Sequence, residues 1–181
     1  MNKHKIAVLA VLAIMATTAV LAADNWQATL RQKLPLLGHR NWIVVVDSAY
    51  PLQTAPGIET ITADADQLTV VKEVLAALAK TKHVQPNIFT DAELKFVAEK
   101  NAAGISAYRE ALAKILADKN VQVLPHEKII GKLDEAGATF KILIIKTPLT
   151  LPYTSVFFQL ECGYWNAASE QELRDAIKAG K

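Results

Sequence analysis

His39 and Asp47 bracket a short apolar run, an arrangement from which paired acid–base chemistry is readily built. Leu37-Gly38-His39-Arg40-Asn41-Trp42 leads into Ile43 to Val46, and Asp47-Ser48-Ala49-Tyr50-Pro51 follows. An imidazole titrates near neutral pH and can take or give a proton, while a carboxylate can orient it or hold a hydroxyl. Each residue also has a plainer reading. A histidine after a helix-ending glycine often satisfies helix carbonyls, and an aspartate before a proline often holds its own turn.

The elements that must position these groups alternate between helical and strand patterns. Trp26, Leu30, Leu34 and Leu37 recur at helical spacing, so the spacing predicts a helix from Asn25 to Leu36 that ends near Gly38. Trp42 to Val46 reads as a strand covered on both faces. Gln67 to Lys80 reads as a helix and Pro86 to Phe89 as a short strand. Thr90-Asp91-Ala92-Glu93 has the form of a capping box opening a long helical region to about Ala117, with a break near Gly104. Val121 to Leu124, Phe140 to Lys146 and Val156 to Cys162 read as strands, and Glu127 to Ala136 as a helix. Ser169 to Glu172 has the form of a second capping box, opening a terminal helix to Ala179. Strands separated by helices predict an α/β fold with one central sheet between helical layers.

The first residues are set apart from that pattern. Lys3, His4 and Lys5 precede the apolar run Ile6 to Val20, and Val20-Leu21-Ala22-Ala23 supplies small residues at a cleavage position. The run is about 15 residues against the ~20 that cross a bilayer, and Thr17 and Thr18 interrupt it. Residues 1–22 are expected to be a signal peptide and residues 23–181 one domain. The mature protein would then be periplasmic or secreted, with no stable membrane insertion. The lone Cys162 forms no intrachain disulfide and is expected as a buried, inert thiol. A net charge of +2 with both signs interspersed offers no stripe for nucleic acid. No HExxH or comparable cluster predicts a metal site, and no cofactor is expected.

The LGH segment, the following apolar strand and the DSAYP segment resemble the first motif of the D-ribose pyranase and L-fucose mutarotase family. His126-Glu127 resembles that family's second histidine segment. Phe140 to Ile145, then Leu151-Pro152-Tyr153-Thr154-Ser155 and Val156-Phe157-Phe158, resemble its closing strands and the PYxN segment between them. Ile61-Thr62-Ala63-Asp64 is similar to a segment on the fucose side. The likeness runs in order from about Leu34 to Gly163.

The resemblance implies a three-layer α/β/α fold with a central mixed sheet and a ring-shaped homo-oligomer larger than a dimer, with sites near subunit contacts. It also implies a cofactor-free interconversion of anomers or ring forms of a reducing monosaccharide. Carried over by position, His39, Asp47, His126 and Tyr153 become the catalytic candidates, with Ser155, Tyr50 and Asp64 binding sugar. The plainer readings make His126 a solvent-facing residue at a helix start and Tyr153 an amphipathic packing residue. His83 has no motif. Two positions depart from the family: Ser155 stands where it has asparagine, and Thr147-Pro148-Leu149-Thr150 replaces a glycine-glutamate turn. Those departures define the alternative, a non-catalytic exported monosaccharide-binding protein on the same fold. A third reading is an oligomeric structural or envelope protein without a sugar site.

Overall fold

The computed structural model describes residues 25–180, so the expected signal segment lies outside the described residues. Asn25 opens the first helix, α1 (Trp26–Lys33), by accepting a hydrogen bond from Ala28 N at 3.0 Å, and a 3-10 turn, Leu34–Leu36, extends it. Strands β1 (Trp42–Val46) and β2 (Ile58–Thr62) follow, then α2 (Gln67–Ala79) and β3 (Val84–Asp91). The remainder is α3 (Ile105–Ile115), β4 (Val121–Leu124), α4 (His126–Gly137), β5 (Ile142–Lys146), β6 (Val156–Cys162) and α5 (Ala167–Lys178).

The six strands form one mixed sheet in the order β2-β5-β1-β6-β3-β4, in which β6 runs antiparallel to both neighbours and the other pairs are parallel. Side-chain alternation divides the core between its two faces. Ile43, Val45, Ile145 and Phe158 pack with Trp26 of α1, Val71 and Val74 of α2 and Leu112 of α3. Trp42, Val44, Val46 and Phe157 pack instead with Ile129 and Leu133 of α4. The expected α/β architecture is therefore present, with a helical layer on each face of a mixed sheet.

Several local expectations are corrected. The sequence reading passed over β2, an edge strand whose Glu59 and Thr60 dilute its apolar character; Lys33 pairs with Glu59 at 2.8 Å. The long helix after Thr90 is instead a 3-10 turn, Ala92–Phe96, followed by a loop and α3. Gly104, at φ 92°, turns the chain into α3, and the Glu99 carboxylate accepts from Ser106 N at 2.9 Å. In place of the second capping box, Asn166 caps α5 by accepting from Ser169 N at 2.9 Å. Cys162 is half-buried rather than fully enclosed.

Candidate functional site

The parallel strands deliver their carboxyl ends to one edge of the sheet, the edge at which ligands of open α/β folds gather. Val156 at the start of β6 is paired with Val45 on one side and Thr90 on the other. Ser155 therefore sits between the ends of β1 and β3, level with Val46 and Asp91 and one residue short of Asp47. A cavity of about 370 Å³ opens there, lined by Asp47, Tyr50, Asp91, His126, Tyr153 and Ser155 among others. Its size falls within the usual range for small-molecule sites.

His126 begins α4 after Pro125, which offers no side-chain cap. The Glu93 carboxylate takes that role across the chain, with Oε2 accepting from His126 N at 3.0 Å. The imidazole Nδ1 then lies 3.1 Å from Asp91 Oδ1, and the ring stands edge-on to Tyr153 with centroids 5.6 Å apart. The Asp91 side chain is fully buried, and the imidazole contact lies off the hydrogen-bonding line, leaving both carboxylate oxygens without a hydrogen-bond donor among the described residues. Burial pushes its carboxyl up to about 6, with the His126 imidazole pulling the other way.

Asp47 serves the turn that the plainer reading assigns it, since Oδ1 accepts from Ala49 N at 2.8 Å, yet its carboxylate also lines the cavity. Tyr50 is buried, its hydroxyl pushed above the usual phenol range by desolvation, and Lys146 Nζ donates to Tyr50 O at 2.7 Å. That bond fixes the loop after β1 to the end of β5. Tyr153 projects at the rim with φ 56°, left-handed backbone that strains a non-glycine residue by roughly 1–2 kcal/mol.

A buried polar network holds the loop before β6. Gln67 Nε2 donates to Tyr108 Oη at 3.0 Å and to Thr154 O, and Tyr108 Oη donates to Thr154 O at 2.9 Å. Thr147 Oγ1 lies 2.9 Å from both Gln67 Oε1 and Val46 O. Thr147, which follows β5, thus ties β1, β5 and α2 together.

Asp47, Tyr50, His126, Tyr153 and Ser155 are brought together as the sequence reading requires. His39 and Asp64 are not. Asp64 is exposed on the turn after β2 and does not line the cavity. His39 lies at the opposite end of β1, about half exposed, with Nε2 2.8 Å from Glu161 Oε2. The helix-end role considered for it belongs instead to His83, whose Nε2 lies 3.1 Å from Leu37 O and 3.3 Å from Leu34 O. Sequence reasoning missed Asp91 and Glu93, because Thr90 to Glu93 fits a local capping pattern. The available signal was Ile88-Phe89-Thr90-Asp91, which ends an apolar strand on aspartate just as Val45-Val46-Asp47 does.

Asp91 carries a consequence for stability. Between the unfolded carboxylate's value near 4 and about 6 in the fold, the folded chain keeps a proton that the unfolded chain has lost. Stability therefore declines as pH rises through that interval and stays lower above it. Asp91→Asn is expected to stabilise the protein by on the order of 1–2 kcal/mol at pH 7.5, after discounting for screening, or roughly 2–8 °C in Tm. Thermal melts at pH 4 and 7.5 check this; an equal shift at both would exclude carboxylate ionisation as the cause.

The RbsD / FucU transport protein family model matches residues 24–162. No curated protein matches the chain. Among solved structures, Bacillus subtilis RbsD complexed with D-ribose is 22% identical, covering 74% of this chain and 92% of its own, at a TM-score of 0.50. The Streptococcus pneumoniae fucose mutarotase in complex with L-fucose is 18% identical, covering 77% and 95%, also at 0.50. FucU from Bifidobacterium longum is 13% identical over 74% and 94%, at the same TM-score. With the family model spanning most of the chain and the shared fold running through β6, this chain belongs to the RbsD / FucU family.

Proposed function

We propose that the chain interconverts anomers or ring forms of a reducing monosaccharide in the cavity between β1, β3 and β6. The observation that carries this reading is the half-buried His126 imidazole set against the buried carboxyl of Asp91, beside Asp47 and Tyr153. Ring opening needs a base to take the anomeric hydroxyl proton while an acid protonates the ring oxygen. The bond between C1 and the ring oxygen breaks, C1 becomes a carbonyl, and closure on either face reverses both transfers. Histidine supports traffic in both directions near neutral pH. Asp47, Tyr153 and Ser155 hold sugar hydroxyls, and the solved relatives with D-ribose and L-fucose support that ligand class.

Saturation-transfer NMR on D-ribose and L-fucose tests the proposal. Magnetisation passing between anomer signals faster than in buffer is the expected result. Binding without faster exchange supports the non-catalytic alternative, which Ser155 in place of asparagine favours, and neither effect removes the sugar reading.

We also propose that the domain works outside the cytoplasm after loss of residues 1–22; the family match beginning at residue 24 supports this. N-terminal sequencing of extracytoplasmic material is expected to begin at Ala23 or Asp24. An intact Met1 in a membrane fraction would contradict it.

A further inference from the structure

Three carboxyl groups, those of Asp47, Asp91 and Glu127, line the cavity at the ends of β1, β3 and β6. Among the described residues, no lysine or arginine lines it. Lys146, at the end of β5, directs its ammonium to Tyr50 O. Glu127, exposed on the first turn of α4, would by itself be an ordinary solvated acid. Asp91 is not. Its side chain is 0% exposed, it lines the cavity, and neither of its oxygens receives a hydrogen bond among the described residues. A buried carboxylate without donors is costly, and a ligand that brings positive charge into the cavity lowers that cost.

Asp47 stands across the opening from Asp91. The start of β6 separates them, so their backbones are two strand spacings or about 10 Å apart, a gap that a single sugar ring and two short side chains fill. One Asp47 oxygen accepts from Ala49 N, and the other receives no donor among the described residues. Burial is the main cause that lifts the Asp91 carboxyl, and the charges of Glu93 and Asp47 add to it, so the acids act on one shared volume.

We infer that the sugar this cavity prefers is a 2-amino-2-deoxy aldose, bound with its anomeric carbon at His126 and its ammonium against the Asp47 carboxylate. The inference rests on the sugar reading above and refines it at one substituent. Ring opening commits the anomeric hydroxyl and the ring oxygen to the acid–base groups, and the next substituent around the ring is that on C2. An ammonium there brings three donors to a lining rich in carboxylate acceptors. Its charge-assisted hydrogen bond is stronger than the neutral one a hydroxyl makes at the same place. A cleft lined by one sign of charge also focuses its field, with Glu127 and Asp91 adding to that of Asp47. Anionic sugars are therefore repelled.

NMR titrations of the full chain at neutral pH and low salt test this with matched pairs, D-glucosamine against D-glucose and D-galactosamine against D-galactose, and with D-glucuronate as the anion. In at least one pair the amine is expected to bind about 10-fold more tightly, the scale of one hydrogen bond to a charged group, and high salt is expected to shrink that advantage. D-glucuronate is expected not to bind. In Asp47→Asn/Glu127→Gln the amine and its neutral partner should bind alike, while retained binding of the neutral sugar reports an intact cavity. Binding of D-ribose or L-fucose alongside amines that bind no tighter than their neutral partners would overturn the inference and leave the sugar reading standing. Binding of none of these sugars would remove both. A preference for D-glucuronate, or an amine advantage that survives in the double variant, would also overturn it. Should the double variant fail to fold, the wild-type ranking decides alone.

Discussion

Replacing His126 by glutamine is expected to slow anomer exchange by about 100-fold or more, the contribution of a positioned acid–base group, while sugar binding weakens far less. Glutamine keeps a polar group near Asp91 but cannot shuttle a proton. The wild-type rate should also fall as pH drops through about 6, where Asp91 takes up a proton and no longer presents a carboxylate to the imidazole. In Asp91→Asn that fall should flatten, with a lower rate throughout. Saturation-transfer rates between pH 5 and 8 measure both effects. Exchange retained within a factor of about three in His126→Gln would be too small a loss for an acid–base group and would remove His126 from the mechanism.

The buried strands were legible because their chemistry is local. Trp42 to Val46, Val121 to Leu124 and Val156 to Cys162 run between the residues read from the sequence, since β-branched and aromatic runs fit a covered sheet. β2 was not legible, because an edge strand needs only alternate apolar residues and its partner β5 is distant in sequence. Thr90 to Glu93 misled for the opposite reason. A locally sound capping pattern lost to long-range contacts, as Glu93 caps α4 and Asp91 turns inward beneath His126. Much of the site was readable from resemblance, including Asp47, His126, Tyr153 and Ser155. Gln67 was not, because a glutamine at the start of an apolar helix reveals nothing of the hydroxyls and carbonyls that will surround it.

His39 exposes the limit of reading one chain at a time. The residues of β1 separate it from Asp47, and the four steps from Trp42 to Val46 alone span about 13 Å, so His39 cannot touch a sugar held by His126 of the same copy. Yet it is exposed, poised against Glu161, and followed by Arg40 at φ 73°, a strained backbone that Tyr153 at the cavity shares. If His39 acts, it does so in the cavity of a neighbouring copy, where the resemblance sets sites near subunit contacts. His39→Gln is then expected to slow exchange by about 100-fold without weakening the fold. Mixing His39→Gln with His126→Gln and allowing subunits to exchange should restore activity above either parent, because a cavity with intact His126 can meet an intact His39 from its neighbour. Random pairing across such a repeated interface gives about a quarter of the sites both residues. A mixture no more active than its parents would place both residues in one copy or remove His39 from the chemistry, and exchange within a factor of about three in His39→Gln alone would leave His126 as the only imidazole at the reacting centre.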